Sequence, residues 1–251
     1  MLSAEPWTVR GCGYPDLLAT GENCQGDNLH DRQHPHELFM ELAASYDRPI
    51  GRGFRWQIYG GAAGEPALGP AAFPHRAAAY PNPVAPIGHH WLDSTHITDG
   101  VITSGVFTSR WKLEASVFNG REPDEQRTDV DVGPMDSYSG RLSFAPSASM
   151  TVQVSAGHLE EAEPGVGSLP RTSINRATAS LSWVRALSRG TLATTLAYGV
   201  NAQDTLTPIG IVPQTSHAVL AEGSLSAGER TTWFGRIEGS SRGCSGLSIT
   251  S

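Results

Sequence analysis

The sequence predicts an all-β protein, an antiparallel up-and-down transmembrane β-barrel of which about ten strands lie in this chain. Three observations carry that expectation. Apolar and polar side chains alternate with a period of two over repeated segments of about ten residues. The links between those segments are short and long by turns, so a hairpin sheet would gather its long loops at one end and its tight turns at the other. No stretch reaches the roughly 18 to 20 uninterrupted apolar residues that a membrane-crossing helix needs.

The first segment, residues 37–47, sets Leu38, Met40, Leu42, Ala44 and Tyr46 against Glu41 and Ser45. The second, 54–61, opposes Phe54, Trp56 and Ile58 to Arg55 and Gln57. The third, 97–108, carries apolar and small residues on both faces. In the fourth, 110–119, Trp111, Leu113, Ala115 and Val117 oppose Lys112, Glu114 and Ser116. The fifth, 137–145, places Tyr138, Leu142 and Phe144 opposite Ser139, Arg141 and Ser143. Met150, Val152, Val154 and Ala156 define one face of the sixth, 149–159. The seventh, 175–185, alternates Ala177, Ala179, Leu181 and Trp183 with Arg176, Thr178 and Ser180. The eighth, 191–201, shows Leu192, Leu196, Tyr198 and Val200; the ninth, 217–226, Val219, Ala221 and Leu225; the tenth, 231–240, Trp233, Gly235 and Ile237.

Short links are expected at 48–53, 109–110, 146–148, 186–190 and 227–230, and long ones at 62–96, 120–136, 160–174 and 202–216. Greek-key sandwiches do not alternate in this way, whereas outer-membrane barrels do. The apolar faces would then meet lipid, with Trp111, Tyr138, Trp183, Tyr198 and Trp233 in interfacial girdles. The polar faces would line a lumen in which Arg55, Lys112, Glu114, Arg141, Arg176 and Glu222 select solutes by size and charge.

Composition narrows the function classes further. A formal charge of −7 and a pI near 5.7 exclude a general basic field for nucleic acid. The opening Met-Leu-Ser-Ala-Glu-Pro has none of the parts of a secretory signal. Taken literally that is a cytoplasmic start, but the strand and loop pattern belongs to an exported protein. The expected organisation is an N-terminal extracellular loop segment at 1–36, barrel strands and loops at 37–242, and a divergent tail at 243–251.

Three constellations and one loop are candidates for chemistry. Seven of the nine histidines fall in the N-terminal loop segment and the 62–96 loop. Of these, His34, His36, His89, His90 and His96 form a candidate divalent-metal set, although their spacing matches no standard motif and loop histidines commonly bond backbone instead. The acidic run Glu122, Asp124, Glu125, Asp129, Asp131 and Asp136 offers oxygen ligands without the order of a known calcium loop. Serines and histidines are plentiful, yet no Gly-x-Ser-x-Gly elbow supports a hydrolase. Cys12 and Cys24 are expected to form a disulfide on the extracellular side, with Cys244 unpaired. The loop at 62–96 carries Leu68, Phe73, Tyr80, Val84, Ile87 and Trp91 among its prolines, too much apolar surface to stand in water. It is expected to order over or into the barrel mouth, bringing Glu65, Arg76, His89, His90, Asp93 and His96 to the lumen as a constriction.

Several blocks carry a resemblance: residues 31–36 (DRQHPH), 64–70 (GEPALGP), 89–91 (HHW) with 95–97 (THI), 118–125 (FNGREPDE) and 136–141 (DSYSGR). Through them, residues 1–242 resemble an uncharacterised family of proteobacterial, Gram-negative outer-membrane β-barrel proteins. The resemblance implies a place in the cell outer membrane and a fragment, since family members begin upstream with a signal peptide and further strands. It carries no catalytic residues with it. The functional expectation is a porin-like or receptor-like barrel without enzyme activity or resident cofactor. It would be embedded in outer-membrane lipid, passing or binding small solutes or metal ions. A barrel hydrolase and a plugged barrel with a binding or structural role are the alternatives.

Overall fold

The computed structural model describes residues 1–25, 27–93, 98–163, 170–207, 210–228 and 230–241. Its elements in order are α1 (Glu5–Thr8), β1 (Tyr14–Cys24), β2 (Asp27–Gln33), β3 (Leu42–Gly51), β4 (Phe54–Gly64), α2 (His89–Leu92), β5 (Thr98–Phe107), β6 (Trp111–Phe118), β7 (Ser137–Ser147), β8 (Met150–Glu163), β9 (Thr172–Leu187), β10 (Gly190–Thr207), β11 (Gly210–Ala227) and β12 (Thr231–Ser241). β3 to β12 pair antiparallel, each with its sequence neighbour, in one ten-stranded up-and-down sheet; β1 and β2 form a separate two-stranded sheet. Among the described residues β3 and β12 do not pair with each other, so the sheet is not closed.

Local chemistry sets the hairpins. Gly51 pairs with Phe54 across Arg52 and Gly53, whose φ angles of 52° and 78° give the left-handed pair that suits the twist of a two-residue hairpin. Pro49 sits on the edge strand β3, where a missing N–H costs no ladder bond, and Pro146 falls where the β7–β8 register slips between Phe144 and Ser147. Pro213 pairs with Asp204 of β10, at a height where the described pairing to β12, which begins at His217, has not yet started.

All ten sequence segments are strands, but two of the expected long loops are partly strand. β10 and β11 pair without a break from Gly190↔Ala227 to Thr207↔Gly210, so the segment 202–216 is largely strand. β8 and β9 likewise run on to Glu163 and back from Thr172. The reason is that backbone pairing needs no hydrophobic alternation once a strand has passed the height at which one face is apolar. The first segment is shorter than expected: β3 begins at Leu42, because residues 37–41 are tied to the N-terminus. The Ser3 and Met40 amides donate to the Leu38 and Met1 carbonyls at 2.9 and 3.1 Å, and Leu2 bridges to Phe39.

The N-terminal segment also departs from the expectation of a plain loop. β1 and β2 form a hairpin whose register shifts twice, between Pro15 and Thr20 and between Thr20 and Asn23, and such slips erase any alternation legible in sequence. Cys12, just before β1, and Cys24, at its turn end, are joined with a Cα separation of 5.6 Å. Cys244 lies outside the described residues.

The two faces of the large sheet are inverted relative to an ordinary soluble sheet. Leu113, Leu196, Val219, Trp233 and Ile237 are exposed, Ile237 by 79%. Their alternates Glu114, Thr195, Ser137, Ser139, Ser155 and Glu222 are buried. Trp111 stacks on Phe144 on the exposed face near the hairpin turns, with ring centroids 4.1 Å apart. Apolar packing gathers instead at the opposite end, where Leu68 meets Val101, Phe118, Leu159, Ala162 and Ile174.

Candidate functional site: a loop folded against the polar face

Between β4 and β5 the chain turns in over the polar face of the sheet. Residues 65–93 contain one 3-10 turn, Phe73–His75, and the single-turn α2, and are otherwise irregular. An irregular segment this long can be buried only if its backbone groups find partners. The strands provide them. The Ala67 amide donates to Ser116 Oγ of β6 at 2.7 Å and the Gly69 amide to Ser155 Oγ of β8 at 2.8 Å. Arg141 of β7 donates to the Gly69 carbonyl at 3.0 Å. Asn201 of β10 and Arg176 of β9 both donate to the His90 carbonyl, and Arg176 also reaches the Asp93 carbonyl. Trp91 Nε1 donates to Ser216 of β11 at 2.8 Å, Ser224 to the Ala77 carbonyl at 3.0 Å, and Arg236 of β12 to the Val84 and Ala85 carbonyls at 2.8 and 2.7 Å. Seven consecutive strands, β6 to β12, thus hold one segment, and the sheet wraps around it.

Close approach adds to these bonds. Gly69 has a φ of +77° and lies so near the Leu92 carbonyl that no Cβ could be accommodated, and a Cβ on Gly199 of β10 would collide with the Trp91 carbonyl. Leu92, fully buried, packs on Ala197 and Leu220.

The charges on this segment are mated to charges of the wall. Arg76 bonds Glu222 through Nε and stands 3.7 Å from Asp93, all three side chains being almost entirely buried. One guanidinium faces two carboxylates, leaving a surplus negative charge in a site from which water is excluded. Burial accordingly pushes Asp93 up to about 6, against the pull of Arg76. Nearer the rim, Glu65 bonds His75 and accepts from the Ala72 amide at 3.0 Å. Burial opposes ionisation of Glu65, yet the His75 and Ala72 bonds, with the charges of His75 and Arg141, together outweigh it and hold the carboxyl below its usual range, while the His75 bond raises His75.

The structure thus places Glu65, Arg76 and Asp93 of the loop, and Arg141, Arg176 and Glu222 of the wall, in one contact region. Lys112 and Glu114 stand beside it, Glu114 bridging Lys112 at 2.7 Å and Arg141 at 3.1 Å. Arg55 is not brought there: it bonds Asp47 on the neighbouring edge strand, with 44% of its side chain exposed. The histidines do not converge on one point either. His36 bonds Glu5 at 2.7 Å, Phe73 lies between the rings of His36 and His89, and His89 bonds the Pro86 carbonyl. His34 is buried in the N-terminal segment, and His96 lies outside the described residues. Among the described residues, His90 is the one of these histidines that belongs to a cluster of three ligating side chains, with Glu122 and Glu163.

Sequence reasoning passed over Arg236, Glu238, Asn201 and the serines that grip the loop. The signal was present: Arg236 and Glu238 occupy the polar alternates of the tenth segment, opposite Trp233 and Ile237. Glu238 accepts the Gly88 amide at 2.8 Å and pairs with Arg236. With known proteins, the chain matches no family model, no curated sequence and no solved structure.

Proposed function

We propose that this chain forms the wall of a porin-like barrel of the Gram-negative outer membrane, with residues 65–93 as an inward-folded constriction that limits what passes along the polar face. The observation that carries the proposal is the inversion of the two sheet faces. Leu113, Leu196, Val219, Trp233 and Ile237 on the exposed face are the surface a strand presents to lipid, while the buried alternates are serines, threonines and charges. Water would leave such an apolar face uncovered; a bilayer covers it. Selection would fall to the groups beside the constriction, chiefly Lys112, Glu114 and Arg141, acting on small solutes or ions by size and charge.

The density of bonds between loop and wall favours a second reading, a plugged barrel that binds or supports without conducting. One experiment separates the two. Purified protein is inserted into planar bilayers, and its single-channel current is compared with that of a variant lacking residues 71–85. The constriction reading expects small steps from the intact chain and larger, less selective ones from the variant. Current only after deletion supports the plug, and unchanged current and selectivity show that the loop is not the gate. Failure of both proteins to conduct or to partition into membranes overturns the barrel reading.

A further inference from the structure

We propose that His90, Glu122 and Glu163 form a binding site for a borderline divalent cation, with Zn²⁺ the natural probe, and that the bound ion pins the inward loop to the rim of the sheet. One ligating atom from each of the three lies within 4.8 Å of the others, the span expected of side chains that share one metal at about 2.0–2.2 Å. The three come from three separate parts of the chain: the helix α2 of the loop, the β6–β7 connection, and the last residue of β8.

Each ligand is held by its own backbone. The His90 carbonyl is fixed by Arg176 and by Asn201 at 2.9 Å, and its ring lies against His89, with centroids 4.1 Å apart. The Glu122 amide donates to the Ala162 carbonyl at 3.2 Å, which sets Glu122 directly beside Glu163. Arg171 closes the same corner by donating to the carbonyls of Glu122 and Ala162 at 3.2 and 3.3 Å. Preorganisation of this kind, with supporting groups that orient each ligand, is what separates a metal site from a chance meeting of side chains.

The electrostatics point the same way. His90 is 7% exposed, and its Nδ1 stands 3.8 Å from Glu163, too far for a hydrogen bond but well placed for a shared ion. Arg176 is the buried cation behind the group, yet its guanidinium donates to Asn201 and to two backbone carbonyls rather than to either carboxylate. One imidazole and two carboxylates suit zinc or a similar first-row ion. Calcium, which needs six or more oxygens, and a thiolate-seeking ion such as Cu(I) fit poorly.

The test is calorimetric titration of the full chain, folded in detergent and stripped of metal, with Zn²⁺. One ion per chain is expected, with affinity falling at least about tenfold in H90A and in E163Q. E122Q, at the partly exposed rim where refolding is least at risk, should show the same loss, and near-ultraviolet circular dichroism confirms that each variant keeps its tertiary structure. D124N, in the neighbouring acidic connection, should bind as the parent does. The proposal is overturned if the parent binds no Zn²⁺ at micromolar concentrations, or if E122Q and E163Q bind it unchanged. The titration needs no membrane current, so its outcome is independent of the porin-like reading.

Discussion

Two loops leave the same end of the sheet and behave oppositely. Residues 65–93 fold inward and are largely buried, whereas residues 121–136 lie outside, with Val132 exposed by 93%. The inner loop brings Leu68, Phe73, Trp91, Leu92 and several alanines, enough apolar area to draw it out of water. The outer one, Arg-Glu-Pro-Asp-Glu-Gln-Arg at its start, has only Val130, Val132 and Met135 among its charges and carries no aromatic residue. Their charges differ in partner as well. Arg76 finds its counter-ion on a strand at the far side of the sheet, while Arg121 finds Asp136 in its own loop and Glu161 at the adjacent strand end. Apolar content decides whether a loop enters; the wall's polar residues decide whether it can stay.

The largest effect that should break this contrast comes from Arg76→Ala. It leaves Glu222 and Asp93 buried without their cation and should cost on the order of 3–5 kcal/mol of loop docking. Limited proteolysis would show this as rapid cleavage within 65–93, and cleavage no faster than in the parent would contradict the account. Leu92→Ala comes next. Its side chain is fully buried against Ala197 and Leu220, so about 2–4 kcal/mol should be lost, read from the midpoint of chemical unfolding.

Proton linkage gives a smaller effect. Burial raises Asp93 to about 6 from an ordinary value of 3.8, so the docked loop keeps a proton that the undocked one has lost. Between those values the docked form binds more protons, and stability must therefore fall as pH rises from about 4 to 6 and be greater at pH 5 than at pH 7. The change should be on the order of 2 kcal/mol, and D93N should flatten it. A parent whose loop docking is as stable at pH 7 as at pH 5 would remove the surplus-charge argument. The smallest effect belongs to the outer loop. Arg121→Ala should cost less than about 1 kcal/mol despite two ion pairs, because the pairs sit in water. A larger loss would show that the outer loop is also part of the packed structure.

Strands were legible because alternation survives wherever one face is apolar. Trp111, Leu113, Ala115 and Val117 on one side and Glu114 and Ser116 on the other gave β6 to within a residue at each end. Alternation failed where apolar residues sit side by side, as at Ile211 and Val212, and where bulges flip it, as between Pro15 and Asn23. The inward loop could be suspected from its apolar residues, but its grip could not. Arg236 and Val84 are 152 residues apart, and no local pattern joins positions that only a curled sheet brings together. Glu122 was a visible oxygen ligand, but its place beside Glu163 was not, because one backbone bond unites the β6–β7 connection with the end of β8.

That separation has a consequence for the order in which the molecule assembles. The inward segment is made early, between the second and third strands of the large sheet, yet its bonds to Glu222, Arg236 and Glu238 reach 146 to 152 residues ahead. Chain-closure entropy grows only slowly with such distances, but contacts that distant cannot form until the intervening strands are registered. The loop must therefore wait, with Phe73, Trp91 and Leu92 uncovered, while the wall is built. Its docking follows the registration of the last strands, and until then those residues have nothing to pack against.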